Sequence, residues 1–360
     1  MNTAVLPKYE RVKRTLISEI ESGKWPAGGS FPSEYQLLEQ FEVSRPTLIR
    51  ALQQLVSEGY LYRKQGKGTF VADRATSAQD IELTGNFTVF ISQRAASITG
   101  EGREVQLRIL RGIQQVLGQA YSASTVRQAA ADRVDVETRR FIEASEPGIA
   151  LLIEPSFNQP LRMILEERGW SVWSINEPMD QGHCVYIDQE HAGYLATKYL
   201  IDEGRKQIAM INGPLDAYWG FEARFNGYKR AHAEAGLKVN GKLIREGWDT
   251  IDSEAGRKMM RSILDSKVKC DAVVGASDPK AIGARACAIE FGCNVPSEIA
   301  FVSIDNTLAG QIEPPMPAVA MPFEEMGFQA AMQANLTSSR AKERGHSYLR
   351  ISLKPTLIER

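Results

Sequence analysis

The sequence predicts an α/β protein in two unequal parts, a small helical head followed by a large body of parallel sheets. Three observations predict it. Apolar residues recur at helical spacing between residues 8 and 56. A basic, glycine-rich hairpin comes next, at residues 60–71. From residue 87 onward short apolar runs alternate with helical stretches, the pattern of parallel sheets covered by helices.

The 360 residues suffice for two or three domains, and an apolar fraction of 43% suffices for sizeable cores. The net charge of −1 hides an asymmetry. Residues 1–75 hold 11 Lys and Arg against 8 Asp and Glu, so the head carries +3 and the remainder −4. A basic end on an acidic chain suits a nucleic-acid reader joined to a separate sensing part. Cys184, Cys270, Cys287 and Cys293 form no CxxC pair and the four His are scattered, so neither a metal site nor a disulfide framework is expected. Polar residues interrupt every apolar run, which argues against export or membrane spanning and for the cytoplasm.

In the head, Tyr9, Val12, Leu16, Ile17 and Ile20 mark a first helix that Gly23 ends. Ser33 is a good N-cap, with Gln36 at the capping-box position, for a helix over 34–41 that buries Leu37, Leu38 and Phe41. A three-residue turn, Glu42-Val43-Ser44, leads to a third helix capped by Ser44, and Pro46 is tolerated in its first turn. Leu48, Ala51, Leu52, Leu55 and Val56 form its buried stripe. The opposite face offers Arg45, Thr47, Ile49, Arg50 and Gln53, with Arg suited to guanine edges and Gln to adenine. Then come a strand, the tip Lys64-Gln65-Gly66-Lys67-Gly68, and a second strand from Thr69. Glycines let such a tip approach phosphate or the minor groove, and Lys64 and Lys67 supply charge. Each feature alone is common in proteins that never touch DNA. In this order and spacing they read as a winged helix-turn-helix over residues 8–73.

The strings Phe31-Pro32-Ser33-Glu34, Phe41-Glu42-Val43-Ser44-Arg45-Pro46-Thr47-Leu48, Ala51-Leu52 and Gly66-Lys67-Gly68-Thr69-Phe70-Val71 resemble the GntR family of bacterial regulators. The resemblance implies that Arg45 and the residues after it enter the major groove and the Gly66–Thr69 tip the minor groove. Where the family usually has Arg, this chain has Ile49. Its side chain either meets a thymine methyl or packs on the wing, and base preference does not carry over from relatives.

Residues 76–86 read as a linker between the DNA-binding part, 1–75, and the body, 87–360. The body lacks GxSxG, HExxH, the P-loop signature and dinucleotide-type glycine loops. It reads as a ligand-binding body with no catalytic residues and no cofactor. The runs Val185-Tyr186-Ile187-Asp188, His191-Ala192-Gly193, Asn212-Gly213-Pro214, Arg224-Phe225-Asn226-Gly227-Tyr228 and Val302-Ser303-Ile304-Asp305-Asn306 are similar to LacI/GalR effector domains. This resemblance implies a periplasmic-binding-protein-like fold of two α/β lobes, with ligand between them. Lobe one is expected at 87–187 and 306–335, lobe two at 188–305 and 336–360. The combination of head and body is similar to the arabinose-responsive repressor group.

Arg224 begins the Arg-x-x-Gly-Tyr motif, and the resemblance points it into the cleft, where a guanidinium forks onto hydroxyls or a carboxylate. The alternative is a surface ion pair. Asp305 and Asp278 each follow a strand and suit ligand hydroxyls, or else cap a helix. Trp248 matches a position that stacks on ligand in relatives, or is simply core. Asn176, Glu177, Gln106 and Trp219 complete the candidates, and Asp188 and Gly193 are read as structural. The expected whole is a homodimer on double-stranded, pseudo-palindromic operator DNA, released by a sugar-like effector. The rival is a sugar-binding protein or enzyme with an incidental basic head.

Overall fold

The computed structural model describes residues 8–26, 28–41, 43–57, 60–64, 68–71, 83, 85–92, 103–118, 121–126, 128–130, 133–153, 159–216, 218–247, 253–340 and 348–360. They form two compact units, Met1–Glu82 and Leu83–Arg360.

The first unit has helices Lys8–Glu21, Glu34–Phe41 and Arg45–Ser57, then antiparallel strands Leu61–Lys64 and Gly68–Val71. Its core gathers Val12, Leu16, Leu37, Leu48, Ala51, Leu55, Leu61 and Val71. Those on the helices are the apolar positions whose spacing predicts them, and Leu61 and Val71 come from the two strands. Each fully buried Leu contributes about 1.5–3 kcal/mol relative to exposure. The capping box is formed: the Gln36 backbone N–H donates to the Ser33 hydroxyl (3.4 Å), and the Gln36 side-chain oxygen accepts from the Ser33 N–H (2.9 Å). The strands extend further into the hairpin than the sequence suggests, because Lys64 pairs with Gly68 in the ladder. Gly68 has φ 109°, a conformation that side-chain-bearing residues rarely adopt. The tip residues Gln65, Gly66 and Lys67 lie outside the described residues.

The second unit holds two six-stranded sheets. Sheet one is ordered 350–353, 183–187, 171–175, 149–153, 87–92, 121–126, with parallel neighbours throughout. Sheet two is ordered 244–246, 208–212, 272–275, 300–305, 318–320, 356–358, parallel except at its last pair. The lobe division expected near the C-terminus is corrected. Strand 318–320 belongs to sheet two and strand 350–353 to sheet one, the reverse of the expectation. Helix Phe323–Arg340 between them packs on sheet one. The chain therefore crosses between lobes three times, after residues 187, 320 and 353. Strands of three and four residues have too little periodicity to indicate their sheet.

Three helix pairs share one packing device. In 104–117 with 323–340, 189–202 with 219–234, and 253–265 with 278–290, each helix places a glycine against its partner's backbone. An added Cβ on Gly112 would stand 1.8 Å from the Glu324 carbonyl oxygen, and one on Gly227 1.9 Å from that of Glu190. The helices close to backbone contact, which fixes their register firmly.

Candidate effector cleft and DNA-reading face

On the head, Arg45 opens the third helix and is exposed, its guanidinium 3.4 Å from Glu34. The Ser44 and Thr47 hydroxyls are hydrogen-bonded at 2.7 Å, which braces the helix start. Ser33 is occupied by its cap, Ile49 is half-buried, and Thr69 is half-buried with its carbonyl accepting from Phe31 N–H (2.8 Å). Arg50, Gln53 and Lys64 fall on their helix or strand, but their side chains lie outside the described residues. The arrangement leaves Arg45 beside the exposed first turn of helix 34–41, able to exchange Glu34 for a base edge or phosphate.

In the body, the site is built where strands of both sheets end and helices begin, as α/β folds dictate. Arg224, on helix Trp219–Glu234, is buried at 5% exposure. Gly193 lets its backbone approach, because a Cβ there would lie 2.0 Å from the Arg224 carbonyl oxygen. Its Nε donates to Gln189 Oε1 (2.7 Å), Nη1 to the Ala276 carbonyl, and Nη2 lies 3.5 Å from Asp305. Asp305 ends strand Ala300–Asp305 with φ 116°, and Asn306 follows at φ 56°. Such values in successive non-glycine residues mark a turn enforced by its surroundings. Burial pushes the Asp305 carboxyl up to about 7, outweighing the opposing pull of Arg224.

Asn176 follows strand 171–175 at φ 69° and is buried. Its carbonyl accepts from Trp219 Nε1 (3.0 Å) and the Tyr218 hydroxyl (3.4 Å), so these aromatics bridge the two lobes. Trp219 also meets Tyr186 edge to face. Among the described residues, buried Gln106 Oε1, Asn176 Oδ1, Gln189 Nε2 and Ser277 Oγ have no hydrogen-bond partner. Buried polar atoms of this kind ordinarily find partners, and a bound polar molecule would supply them. Glu177 is half-buried on the turn after Asn176, its carbonyl accepting from Ser174 Oγ (2.9 Å). Trp248 lies outside the described residues.

Asp278 is a correction. The sequence groups it with the effector residues, but its carboxylate accepts from the N–H groups of Asn306 (3.2 Å), Leu308 (2.6 Å) and Ala309 (2.8 Å), and from the Thr307 hydroxyl (3.4 Å). It holds the loop after Asp305 rather than the start of its own helix. Asp188, read as structural, caps its helix through His191 N–H (2.9 Å).

Sequence reasoning misses Gln189, which orients Arg224, and Lys280, which is 1% exposed with Nζ 5.9 Å from the Phe221 ring. One signal for Lys280 was present: a cation in a helix's first turn opposes the helix dipole. Among the described residues no His, Cys, Asp and Glu cluster suits a metal, and no helix is long and apolar enough to cross a membrane.

Fold and site together define a two-domain bacterial transcription regulator, with a helix-turn-helix head and a two-lobed ligand-binding body. Comparison with known proteins specifies the class. Residues 8–71 match the bacterial regulatory proteins of the gntR family, and residues 197–360 the periplasmic binding protein-like domain. The chain thus combines a GntR-type helix-turn-helix domain with a periplasmic-binding-protein-like, LacI-type domain. It is 29% identical over 346 residues to an arabinose metabolism transcriptional repressor of Geobacillus stearothermophilus, covering 92% of this chain and 91% of that one. It is 36% identical over 186 residues to the HTH-type transcriptional regulator CelR of Thermobifida fusca, covering 50% and 54%. Among solved structures, the transcription regulator GntR from Chromobacterium violaceum superposes with a TM-score of 0.64 at 25% identity, over 76% of this chain and 97% of that one. A CelR–cellobiose complex shares the fold at a TM-score of 0.62 and 23% identity, over 98% of this chain and 99% of that one.

Proposed function

We propose that the protein is a cytoplasmic, homodimeric repressor that binds a pseudo-palindromic operator and is released by a small sugar or sugar derivative. On this reading it acts by binding and catalyses nothing. The observation that carries it is the cleft itself. Arg224 and Asp305 are buried together with polar atoms from both lobes that have no partner among the described residues, a lining suited to a hydroxyl-rich molecule. The rival view of an incidental head is disfavoured, because the arabinose repressor of Geobacillus stearothermophilus aligns across both parts. For an effector to regulate, it must favour one state, typically by about 1–3 kcal/mol. Arg45 with Thr47 would read the major groove, and the 64–69 wing would reach phosphate or the minor groove.

The test is a mobility shift on DNA upstream of the protein's own coding sequence, at moderate salt, with and without candidate sugars. A specific complex that one sugar dissolves is the expected result. No specific complex at any salt overturns the reading. A thermal-shift screen of sugars and sugar acids then identifies the effector, since a ligand at a hundred times its Kd stabilises by about 2.7 kcal/mol.

A further inference from the structure

Arg108, on the lobe-one helix Glu104–Leu117, reaches across to lobe two. Its Nη1 donates to the Asn306 carbonyl and its Nη2 to the Thr307 carbonyl, each at 3.4 Å. Both bonds are long, but a charged fork lands on two successive carbonyls of one loop. That loop begins one residue after Asp305. It is held from inside by the four donors to Asp278, and from the far side by Arg360, whose Nη2 donates to Asn306 Oδ1 (2.6 Å). With so many anchors, the 305–309 segment moves as a unit. A shift of Asp305 is therefore a shift of the carbonyls that Arg108 holds.

The lobe-one end of this contact is equally stiff. Helix 104–117 interlocks with helix 323–340 through Gly112 and Gly327, where added Cβ atoms would stand 1.8 and 2.0 Å from partner carbonyl oxygens. Near the end of helix 323–340, Ser338 lies against Gly85, 3.7 Å from where a Cβ on Gly85 would be. Gly85 is where the chain enters the effector domain, just before strand Phe87–Ser92.

We propose that Arg108 is a positioning residue that passes occupancy of the cleft at Asp305 to helix 104–117, and through its interlocked partner 323–340 to the first strand of the effector domain. This rests on reading the cleft as the effector site. Glu104, 3.3 Å from Arg108 Nε and 3.4 Å from Arg111 Nη1, aims the guanidinium. Arg111 reaches only Glu104 among the described residues. It is therefore a control that disturbs the same helix without touching lobe two.

The test is amide hydrogen exchange, read by mass spectrometry on the full-length protein without ligand. In Arg108→Gln, amides of 104–110, 305–309 and 87–92 should exchange about tenfold faster, the scale set by losing a charge-assisted hydrogen bond. Arg108→Lys keeps a donor but not the fork, and should recover part of the protection. Arg111→Gln should match wild type. The proposal is overturned if Arg108→Gln exchanges like wild type in 87–92, or if Arg111→Gln accelerates the same segments equally. Should Arg108→Gln not fold, Arg108→Lys decides on the same segments with a smaller expected change. Operator binding by mobility shift is measured alongside. Its loss in every form, wild type included, would count against the functional reading, whereas wild-type binding with unchanged exchange counts against the relay alone.

Discussion

The head and the body each present an arginine–carboxylate pair of nearly the same length, Arg45–Glu34 at 3.4 Å and Arg224–Asp305 at 3.5 Å. The first is open to water, with side chains 72% and 36% exposed; the second is closed to it, at 6% and 9%. Water makes the head pair weak, about 0–1 kcal/mol, and so lets Arg45 exchange Glu34 for another anion at little cost. Exclusion of water makes the body pair hard to break, since removing one partner of a buried pair costs about 3–5 kcal/mol. It also pushes Asp305 up to about 7. Equal geometry thus serves two ends. The head keeps its cation available, and the body keeps its cation oriented.

The comparison can be broken most severely at Arg224. Arg224→Ala should lower the stability of the body by about 3–5 kcal/mol and abolish the effector response, while the head still binds operator. Calorimetry alongside a mobility shift checks this, and simultaneous loss of operator binding would contradict the separation of roles. Next in size is the pH dependence of Asp305. Its folded pKa lies above the ordinary carboxylate value, so the native state holds an extra proton between about pH 4 and 7. Stability from this group should therefore fall as pH rises through that window, by on the order of 4 kcal/mol, and level off above it. Asp305→Asn should flatten the slope in melts at pH 5 and pH 8, and an unchanged slope would remove Asp305 as its source.

Smaller again, Arg45→Ala should cost about 1–3 kcal/mol of operator affinity and leave the melting point nearly unchanged, as befits an exposed pair. Operator titrations within error of wild type would refute the assigned recognition helix. Smallest is Ser33→Ala. Loss of the cap should destabilise the head by about 1 kcal/mol, read as an earlier unfolding of that unit alone.

The same contrast explains what could be read in advance. The head's helices were legible because each rests on local periodicity and caps, such as Leu48, Ala51, Leu52 and Leu55, or Ser33 with Gln36. Arg45 was legible because exposure at a helix start follows from the same pattern. In the body, the strands 149–153, 171–175 and 300–305 were legible as apolar runs, and Arg224 and Asp305 through a family resemblance. Gln189, Arg108 and Lys280 carried no motif. Their roles depend on neighbours 35 and 198 residues away for the first two, and on burial for the third. Asp278 was misassigned because an aspartate after a strand looks the same whether it faces ligand or a distant loop.

By itself the sequence determined the two-part plan, the helix-turn-helix with Arg45 exposed at the start of its third helix, and the alternation that makes parallel sheets. These follow from spacing within a few residues. Only the tertiary structure decided which lobe receives strands 318–320 and 350–353, that Asp278 holds the 306–309 loop, and that Arg108 bridges the lobes. Those outcomes depend on which groups are excluded from water and which distant carbonyls come within reach. Neither property has a period that can be read along a chain.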